Sequence, residues 1–266
     1  MKVAIVGFGN MGQTYANSFM SSGFVGASDI LILNKTKIEE KNSFGIDTVN
    51  FFTEPNSNIF ESDILILAVK PQDFKQLASE IKAFLNPEHV ILSVMAGISI
   101  EAMQNELGVS KIVRSMPNIP TQIGEGMTVF CASNAVDRKE LFIVQNLINT
   151  TGKSIYIERE EMLNAATAVS GSGPAYVFYF MQAMIESAIR LGFSASEAEF
   201  LVSQTFSGSV QLQNRSKLSN EAWIQRVASK GGTTEAALLV FNKNELQEIV
   251  IEGIEAANAR ALELGS

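Results

Sequence analysis

Glycines and hydroxyl-bearing residues, rather than histidines or cysteines, supply the chemistry that this sequence can perform. The pattern G-x-G-x-x-G occurs directly after an apolar run and before a stretch with helical periodicity. Its residues are Gly7, Phe8, Gly9, Asn10, Met11 and Gly12. In such a motif the glycines permit a tight turn, a close approach of the backbone to a pyrophosphate, and packing of the helix on the strand. The motif predicts dinucleotide binding at a helix N-terminus, and a glycine-rich turn without a ligand is the alternative.

The residues after the second apolar run indicate which dinucleotide is bound. A site specific for NAD places Asp or Glu there to bind both ribose hydroxyls, whereas this chain has Asn34, Lys35 and Thr36. An amide, a cation and a hydroxyl accept a 2′-phosphate, and no carboxylate is present to repel it. The sequence therefore predicts NADP as cofactor, with NADPH preferred and NAD left open as a second cofactor. The alternative is that Lys35 is an exposed turn residue.

Three further strings follow apolar runs and are predicted to lie beside the same ligand. The string Ala68-Val69-Lys70-Pro71 places a lysine where the carboxyl edge of a sheet is expected, which is where open α/β folds bind ligands. A solvated Lys70 is the alternative. Ala96 and Gly97 leave the next run, where small residues allow a flat ring to lie close to the backbone. Asn118 stands between two prolines and is a fixed amide donor and acceptor.

Two strings in the C-terminal part also carry glycines and hydroxyls. The string Ser170-Gly171-Ser172-Gly173-Pro174 interrupts a helical pattern, and a kink or close helix crossing is its favoured interpretation. A second string, between two helical stretches, offers N–H groups and hydroxyls that suit a carboxylate or phosphate. Its candidate binding residues are Ser229, Gly231, Gly232, Thr233 and Thr234. A plain capping loop, with Thr233 or Thr234 as N-cap, is the alternative.

The elements that must position these residues change in type along the chain. Short β-like runs alternate with helical stretches before Glu160, which predicts an α/β fold with a doubly wound, Rossmann-like parallel sheet. The runs are residues 2–6, 29–33, 63–69, 90–94, 111–116 and 127–131, and the helical stretches are 13–22, 72–85 and 137–150. The following stretches, at 174–191, 195–214, 218–228, 233–242 and 244–263, all have helical spacing. We expect a dinucleotide-binding domain at 1–160 and an all-helical domain at 161–266.

Composition excludes several classes of protein. With 266 residues, 46% hydrophobic and 18% charged, the chain is globular rather than disordered. Its net charge of −8 has the wrong sign for binding nucleic acid through phosphate neutralisation. One cysteine, Cys131, and one histidine, His89, cannot build a cluster for a structural zinc, and we expect no metal. Because apolar stretches are too short for a membrane span or a signal peptide, we expect a cytoplasmic protein without membrane partners.

The ordered set of strings resembles the Δ1-pyrroline-5-carboxylate reductase family, which catalyses the last step of proline biosynthesis. The resemblance runs over nearly the whole chain and is most specific at residues 68–71, 116–118, 124–128, 170–176 and 231–234. It implies an oxidoreductase that reduces the C=N bond of a small cyclic imino acid with NAD(P)H. It also implies a Rossmann domain joined to a helical dimerisation domain, hence a homodimer and a larger ring of dimers as homo-oligomer.

The resemblance further implies a role for each candidate residue. The glycine motif would hold the pyrophosphate, and the residues after the second run would meet the adenosine ribose or its phosphate. The path to the nicotinamide would be lined by Ala68, Lys70, Ala96 and Gly97. The substrate carboxylate would be bound by Ser229, Gly232 and Thr233. Thr234 would be the catalytic residue, because its hydroxyl would hydrogen-bond the ring nitrogen.

The chain departs from the family pattern at four positions, and three other functions remain as alternatives. Lys230 and Ile119 stand where the family usually has proline and threonine, and Gln225 and Asn164 stand where it usually has aspartate. The alternatives are a reductase of another cyclic imine such as pyrroline-2-carboxylate, a β-hydroxyacid-type dehydrogenase, and a cofactor-binding regulatory paralogue. The dehydrogenases depend on a lysine early in the helical domain, and this chain has none there before Lys217.

Overall fold

A computed structural model describes residues 1–37 and 45–264, and within them one eight-stranded sheet forms the centre of the N-terminal part. The strands are β1 (Val3–Val6), β2 (Ile30–Leu33), β3 (Phe51–Phe52), β4 (Ile64–Leu67), β5 (Val90–Ser93), β6 (Ile112–Met116), β7 (Gly126–Ala132) and β8 (Gly152–Tyr156). Their order in the sheet is β3-β2-β1-β4-β5-β6-β7-β8. All neighbouring pairs are parallel except β6 and β7, which are antiparallel.

Helices cover both faces of this sheet, which is why its central strands are buried along their whole length. Successive side chains of β1 enter different cores, with Ala4 and Val6 in one and Val3 and Ile5 in the other. The helices of this part are α1 (Asn10–Ser21), α2 (Phe74–Ile81), α3 (Ile100–Leu107), α4 (Arg138–Asn149) and α5 (Met162–Ala166). Residues of α2 and α3 belong to the first core, and residues of α1 and α4 to the second. The predicted doubly wound α/β fold is therefore confirmed.

The sheet differs from the sequence-based expectation in two respects. The sheet is not wholly parallel, because the short connection from Met116 to Gly126 cannot form the helical crossover that a parallel pairing of β6 and β7 would require. The strands β3 and β8 were not predicted. β8 lies at an edge of the sheet and none of its residues is buried, so it lacks a continuous apolar run. β3 contains only Phe51 and Phe52.

The C-terminal part is all-helical, as predicted. Its helices are α6 (Gly173–Arg190), α7 (Ala195–Asn214), α8 (Asn220–Val227), α9 (Thr233–Lys243) and α10 (Leu246–Leu264). Three of these helices, α6, α8 and α9, contain no buried residue. Phe178 is 61% exposed and Tyr179 is 76% exposed. None of the described helices is long and apolar enough to cross a membrane.

Contacts divide the chain into two compact units, Met1–Ser172 together with the end of α10, and Gly173–Ala256. Glu160 belongs firmly to the first unit, because its Oε1 accepts hydrogen bonds from Arg114 Nη1 at 2.7 Å and from the backbone N–H of Ile100 at 2.8 Å. Between the α5 helix and α6 the chain forms a π-helical turn at Thr167–Gly171. The predicted interruption of the helix at this string is confirmed, while the assignment of functional domains at 1–160 and 161–266 stays a prediction.

Candidate functional site

Neighbouring strands bring most of the predicted cofactor residues to one edge of the sheet. Val6, the last residue of β1, is paired with Leu33 on one side and Leu67 on the other, so the following residues leave the sheet together. The strand order reverses at β1, and open α/β sheets bind ligands outside the carboxyl ends of strands at such a point. A cavity of about 370 Å³ opens there. The predicted residues that line it are Gly7, Phe8, Gly9, Asn34, Lys35, Ala68, Val69 and Lys70.

The glycines of the motif have different structural roles. Gly7 has a φ of +95°, and a Cβ atom there would lie 2.8 Å from the carbonyl oxygen of Ala68. A Cβ atom at Gly12 would collide with the carbonyl oxygen of Gly7. At Gly9, in contrast, no atom of the described residues other than its chain neighbours lies within 4 Å of the Cβ position, and the backbone is extended. The protein itself does not require glycine at position 9, whereas a ligand that approaches the backbone there would require it.

The first turn of α1 adds hydrogen-bond donors beside this open backbone. Gly9 is the N-cap, and no side chain of the described residues caps the helix. The first N–H groups of a helix have no intrahelical acceptor, and the helix dipole attracts anions. The turn that begins with Asn10 and Met11 therefore suits a pyrophosphate. The N–H of Phe8 differs, because it donates to Oδ1 of Asn34 at 3.0 Å while the ring of Phe8 is buried.

The residues after β2 combine a fixed amide with two exposed side chains. Oδ1 of Asn34 holds the glycine motif through Phe8, and its Nδ2 donates to the carbonyl oxygen of Thr36 at 2.8 Å. Lys35 and Thr36 are exposed. Lys35 lines the cavity beside the glycines, and Thr36 lines an adjoining cavity of about 240 Å³ that Asn34 shares. An exposed cation and hydroxyl next to an anchored amide can bind a phosphate group.

Other predicted cofactor residues lie outside the lining of the 370 Å³ cavity. Ala96 and Gly97 follow β5 at the same edge of the sheet, and Gly97 has a φ of +78°. The side chain of Asn118 is engaged by the protein, because its Oδ1 accepts from the N–H of Met127 at 2.9 Å and its Nδ2 donates to the carbonyl oxygen of Ser170 at 3.2 Å. The amide joins β7 to the π-helical turn, and contact of Asn118 with a cofactor stays a prediction.

Several residues of the cavity were missed by reasoning from the sequence. Thr53 and Pro55 line it after β3, and the aromatic pair that forms β3 was the signal for this strand. Asp73 and Glu80 line it from the segment that contains α2. These carboxylates lie far from the glycine motif and from the end of β2 in sequence. The motif therefore gave no indication that they line the cavity.

The second group of predicted residues forms the loop between α8 and α9. Gly232 is the N-cap of α9, so the alternative that Thr233 or Thr234 caps the helix is wrong. Gly231 has a φ of +74°, which favours glycine. A Cβ atom at Gly232 would lie 2.6 Å from Oγ of Ser229. Both glycines are therefore needed for the shape of the loop.

The donors of this loop differ from those expected from the sequence. The N–H of Gly231 donates to Oε2 of Glu235 at 2.7 Å, and the N–H of Gly232 donates to the carbonyl oxygen of Ser229 at 3.0 Å. These two N–H groups are thus occupied within the loop, because the chain folds back on itself before α9. The first N–H groups and the hydroxyls of Thr233 and Thr234 are the donors left at the uncapped N-terminus of α9.

The lone histidine and the lone cysteine have structural positions. Nδ1 of His89 accepts from the N–H of Asn86 at 3.0 Å, so Nε2 donates to the carbonyl oxygen of Phe60 at 2.8 Å. Cys131 is buried in a core of the sheet, and burial raises the pKa of its thiol to about 12. Among residues 1–37 and 45–264, no three His, Cys, Asp or Glu residues are grouped for a metal ion. His89 and Cys131 therefore contribute no polar group to the lining of the cavity after β1.

Comparison with known proteins identifies the family. Residues 160–264 match the family model described as pyrroline-5-carboxylate reductase dimerisation, and residues 2–97 match the one described as NADP oxidoreductase coenzyme F420-dependent. The pyrroline-5-carboxylate reductase of Pseudomonas aeruginosa is 33% identical over 268 residues, which cover 99% of this chain and 96% of the relative. This chain belongs to the pyrroline-5-carboxylate reductase family. The relative from Aquifex aeolicus is 32% identical over 266 residues, with 99% and 97% covered.

Solved structures of the family have the same fold as this chain. The pyrroline-5-carboxylate reductase of Coxiella burnetii is 30% identical and gives a TM-score of 0.90, with 100% of this chain and 98% of that chain covered. The pyrroline carboxylate reductase of Plasmodium falciparum, solved with NADP bound, is 28% identical and gives a TM-score of 0.88 over the same shares. These similarities confirm a Rossmann-like domain followed by a helical region of the dimerisation type.

Proposed function

We propose that this protein is an NAD(P)H-dependent oxidoreductase that reduces the C=N bond of Δ1-pyrroline-5-carboxylate to L-proline, the last step of proline biosynthesis. The observation that carries the proposal is the loop before α9, where Thr233 and Thr234 offer hydroxyls and first-turn N–H groups in a chain of this family. A carboxylate and a ring nitrogen, the two polar parts of the substrate, match these donors.

The residues at the carboxyl edge of the sheet fit NADP. The open backbone at Gly9 and the uncapped first turn of α1 would hold the pyrophosphate, and Lys35 and Thr36 would bind the 2′-phosphate. When bound, the reduced nicotinamide supplies a hydride. NADPH is preferred over NADH because Asn34 stands where an acidic residue would repel the extra phosphate.

The substrate is held by hydroxyls and backbone groups rather than by a strong acid or base. The hydroxyls of Ser229 and Thr233 and the first N–H groups of α9 bind the carboxylate, whereas the N–H of Gly232, also expected as a donor, is occupied by Ser229. The hydroxyl of Thr234 orients the ring nitrogen. A protonated imine has a far more electrophilic carbon than a neutral one, so a hydrogen bond that fixes the nitrogen suffices. Catalysis then comes mainly from positioning. The structural positions of His89 and Cys131 agree with a mechanism that uses neither.

The proposed function also includes the assembly of this chain into a homodimer. Residues 161–266 form the dimerisation and substrate domain of a cytoplasmic homodimer, and such dimers assemble into a larger ring. The match to a dimerisation model supports the dimer, as do the exposed apolar side chains of α6, including Phe178 and Tyr179. Packing of these side chains on a second copy would bury α6, which contains no buried residue in one chain.

One assay tests the activity against its alternatives. Purified protein with NADPH and pyrroline-5-carboxylate is expected to lose absorbance at 340 nm with matching formation of proline. Binding of NADPH without turnover of any imine would instead identify a regulatory paralogue. Turnover of pyrroline-2-carboxylate alone, or of a β-hydroxyacid alone, would assign the protein to one of the other enzyme classes.

A further inference from the structure

The side chain of Glu235 holds the loop that precedes α9. Its Oε2 accepts a hydrogen bond from the N–H of Gly231 at 2.7 Å. The backbone of Gly231 is in the left-handed region, with a φ of +74°. Glu235 is the third residue of the helix, and in a capping box a glutamate there bonds the N–H of the N-cap residue. Here the N–H of the N-cap, Gly232, is occupied by Ser229, and Glu235 reaches one residue further back.

We propose that Glu235 is a positioning residue that sets the loop for the substrate carboxylate. This inference rests on the proposed function and adds a residue to it. Glu235 acts through Gly231: the bond between them fixes the turn that leaves the first N–H groups and the hydroxyls of Thr233 and Thr234 available. A loop already held in its binding conformation loses less conformational freedom when the ligand arrives, so the ligand binds more tightly.

Two substitutions separate the hydrogen bond from the charge. Glu235→Ala removes both, and we expect KM for pyrroline-5-carboxylate to rise about 3- to 10-fold, as for loss of one hydrogen bond at the surface. The kcat and the KM for NADPH should stay unchanged, because the substrate carboxylate does not change during the reduction and its contacts with the loop are equal in the ground state and the transition state. Glu235→Gln keeps an acceptor oxygen for Gly231 and removes a negative charge, so its KM should equal or fall below that of the wild type.

A matched control and a second substrate distinguish positioning from a general effect on the helix. Glu248 is likewise the third residue of its helix, α10, and is exposed, whereas Glu235 is partly buried. Glu248→Ala therefore removes the same interaction with a helix dipole and should leave KM unchanged. The unsubstituted ring Δ1-pyrroline lacks the carboxylate, and kcat/KM for its reduction should be the same for the wild type and Glu235→Ala. The Tm of each variant verifies folding.

The outcomes distinguish this inference from the function on which it rests. A wild-type protein that does not reduce pyrroline-5-carboxylate would overturn the proposed function. With an active wild type, the inference is overturned by an unchanged KM in Glu235→Ala, by a Glu235→Gln variant as impaired as Glu235→Ala, or by an equal loss of activity on Δ1-pyrroline.

Discussion

The side-chain oxygen Oδ1 of Asn34 accepts a hydrogen bond from the backbone N–H of Phe8 at 3.0 Å. The end of β2 is thereby tied to the glycine motif that follows β1. Asn34 also donates to the carbonyl oxygen of Thr36, so one amide orders both the glycine motif and the residues proposed for the 2′-phosphate. If the proposed function is correct, a change at this position should alter both the cofactor preference and the geometry of the loop.

Asn34→Asp should reverse the preference between cofactors. An aspartate keeps an acceptor for the N–H of Phe8 but places a negative charge beside the proposed 2′-phosphate. We expect kcat/KM with NADPH to fall about 10- to 100-fold while kcat/KM with NADH is retained. Steady-state rates with both cofactors test this. Asn34→Ala, which loses the acceptor without adding charge, should impair both, and an equal loss with both cofactors in Asn34→Asp would contradict the assignment.

Lys35→Ala should weaken NADPH selectively. Lys35 is exposed at the cavity, so its contact with a phosphate is worth only about 1 kcal/mol. KM for NADPH should rise about 3- to 10-fold, less so at high salt, and KM for NADH should stay constant. Lys153→Ala, at an exposed position of the edge strand β8, is the control and should alter neither value. A rise in KM for NADH as large as that for NADPH would contradict a contact between Lys35 and the 2′-phosphate.

Substitution by alanine should leave the thermal stability unchanged at Gly9 and lower it at Gly12. The Cβ of Gly9→Ala meets no atom of the described chain, so its Tm should equal that of the wild type while NADPH binding is lost. The Cβ of Gly12→Ala strikes the carbonyl oxygen of Gly7, so that variant should unfold at a lower temperature. Thermal unfolding and calorimetric titration with NADPH measure both. Undiminished binding by Gly9→Ala would show that no ligand approaches the backbone there.

Thr234→Ala should impair the chemical step without unfolding the protein. Loss of a hydrogen bond to the transition state costs roughly 1.4 to 4 kcal/mol, which predicts a fall in kcat/KM of about 10- to 1000-fold. Thr234→Ser keeps the hydroxyl and should retain most of the activity. The readouts are kcat/KM for pyrroline-5-carboxylate and Tm. Activity near that of the wild type in Thr234→Ala would remove this hydroxyl from the mechanism.

Cys131 should make the fold less stable in alkali. Burial raises the pKa of its thiol to about 12, whereas the thiol of an unfolded chain ionises near pH 9. Above that pH the thiol has lost its proton in the unfolded state but keeps it in the folded state. The contribution of the buried thiol to stability is complete below about pH 9 and therefore declines as the pH rises toward 12. By about pH 10 the loss should reach roughly 1 to 2 kcal/mol relative to Cys131→Ala. Urea unfolding of both proteins at pH 7 and 10 measures this, and parallel pH dependences would contradict it.

The sequence was most informative where a residue's role is local. The runs that form β1, β2 and β4 are apolar throughout, and β5 is apolar except for Ser93, because helices cover both faces of the sheet. This made the α/β fold predictable. α3 was missed although its signals are present, with Ser99 as N-cap and a left-handed Gly108 after its end. β8 could not be predicted in the same way, because Lys153 and its neighbours face solvent or are only partly buried.

In the candidate sites, too, features set by neighbouring residues were predictable and contacts between distant residues were not. The place of the glycine motif between β1 and α1 could be predicted from spacing alone, because a tight turn depends on consecutive residues. Hydrogen bonds between separated residues could not be predicted: those of Asn118 with Met127 and Ser170 leave no periodic trace in the sequence. They decide which donors are occupied, and so the identity of the free donors required the structure.

The exposed apolar side chains of α6 make the two units unequal in how they tolerate change. The sheet unit has its own cores, so a substitution there acts on one chain. In the proposed homodimer, Phe178 and Tyr179 would share a contact surface with their symmetry-related copies. In a symmetric pair every substitution on that surface occurs twice in one interface. In such a dimer a single inherited change in α6 would have a double energetic effect, and the helical unit would tolerate fewer substitutions than its exposed side chains suggest.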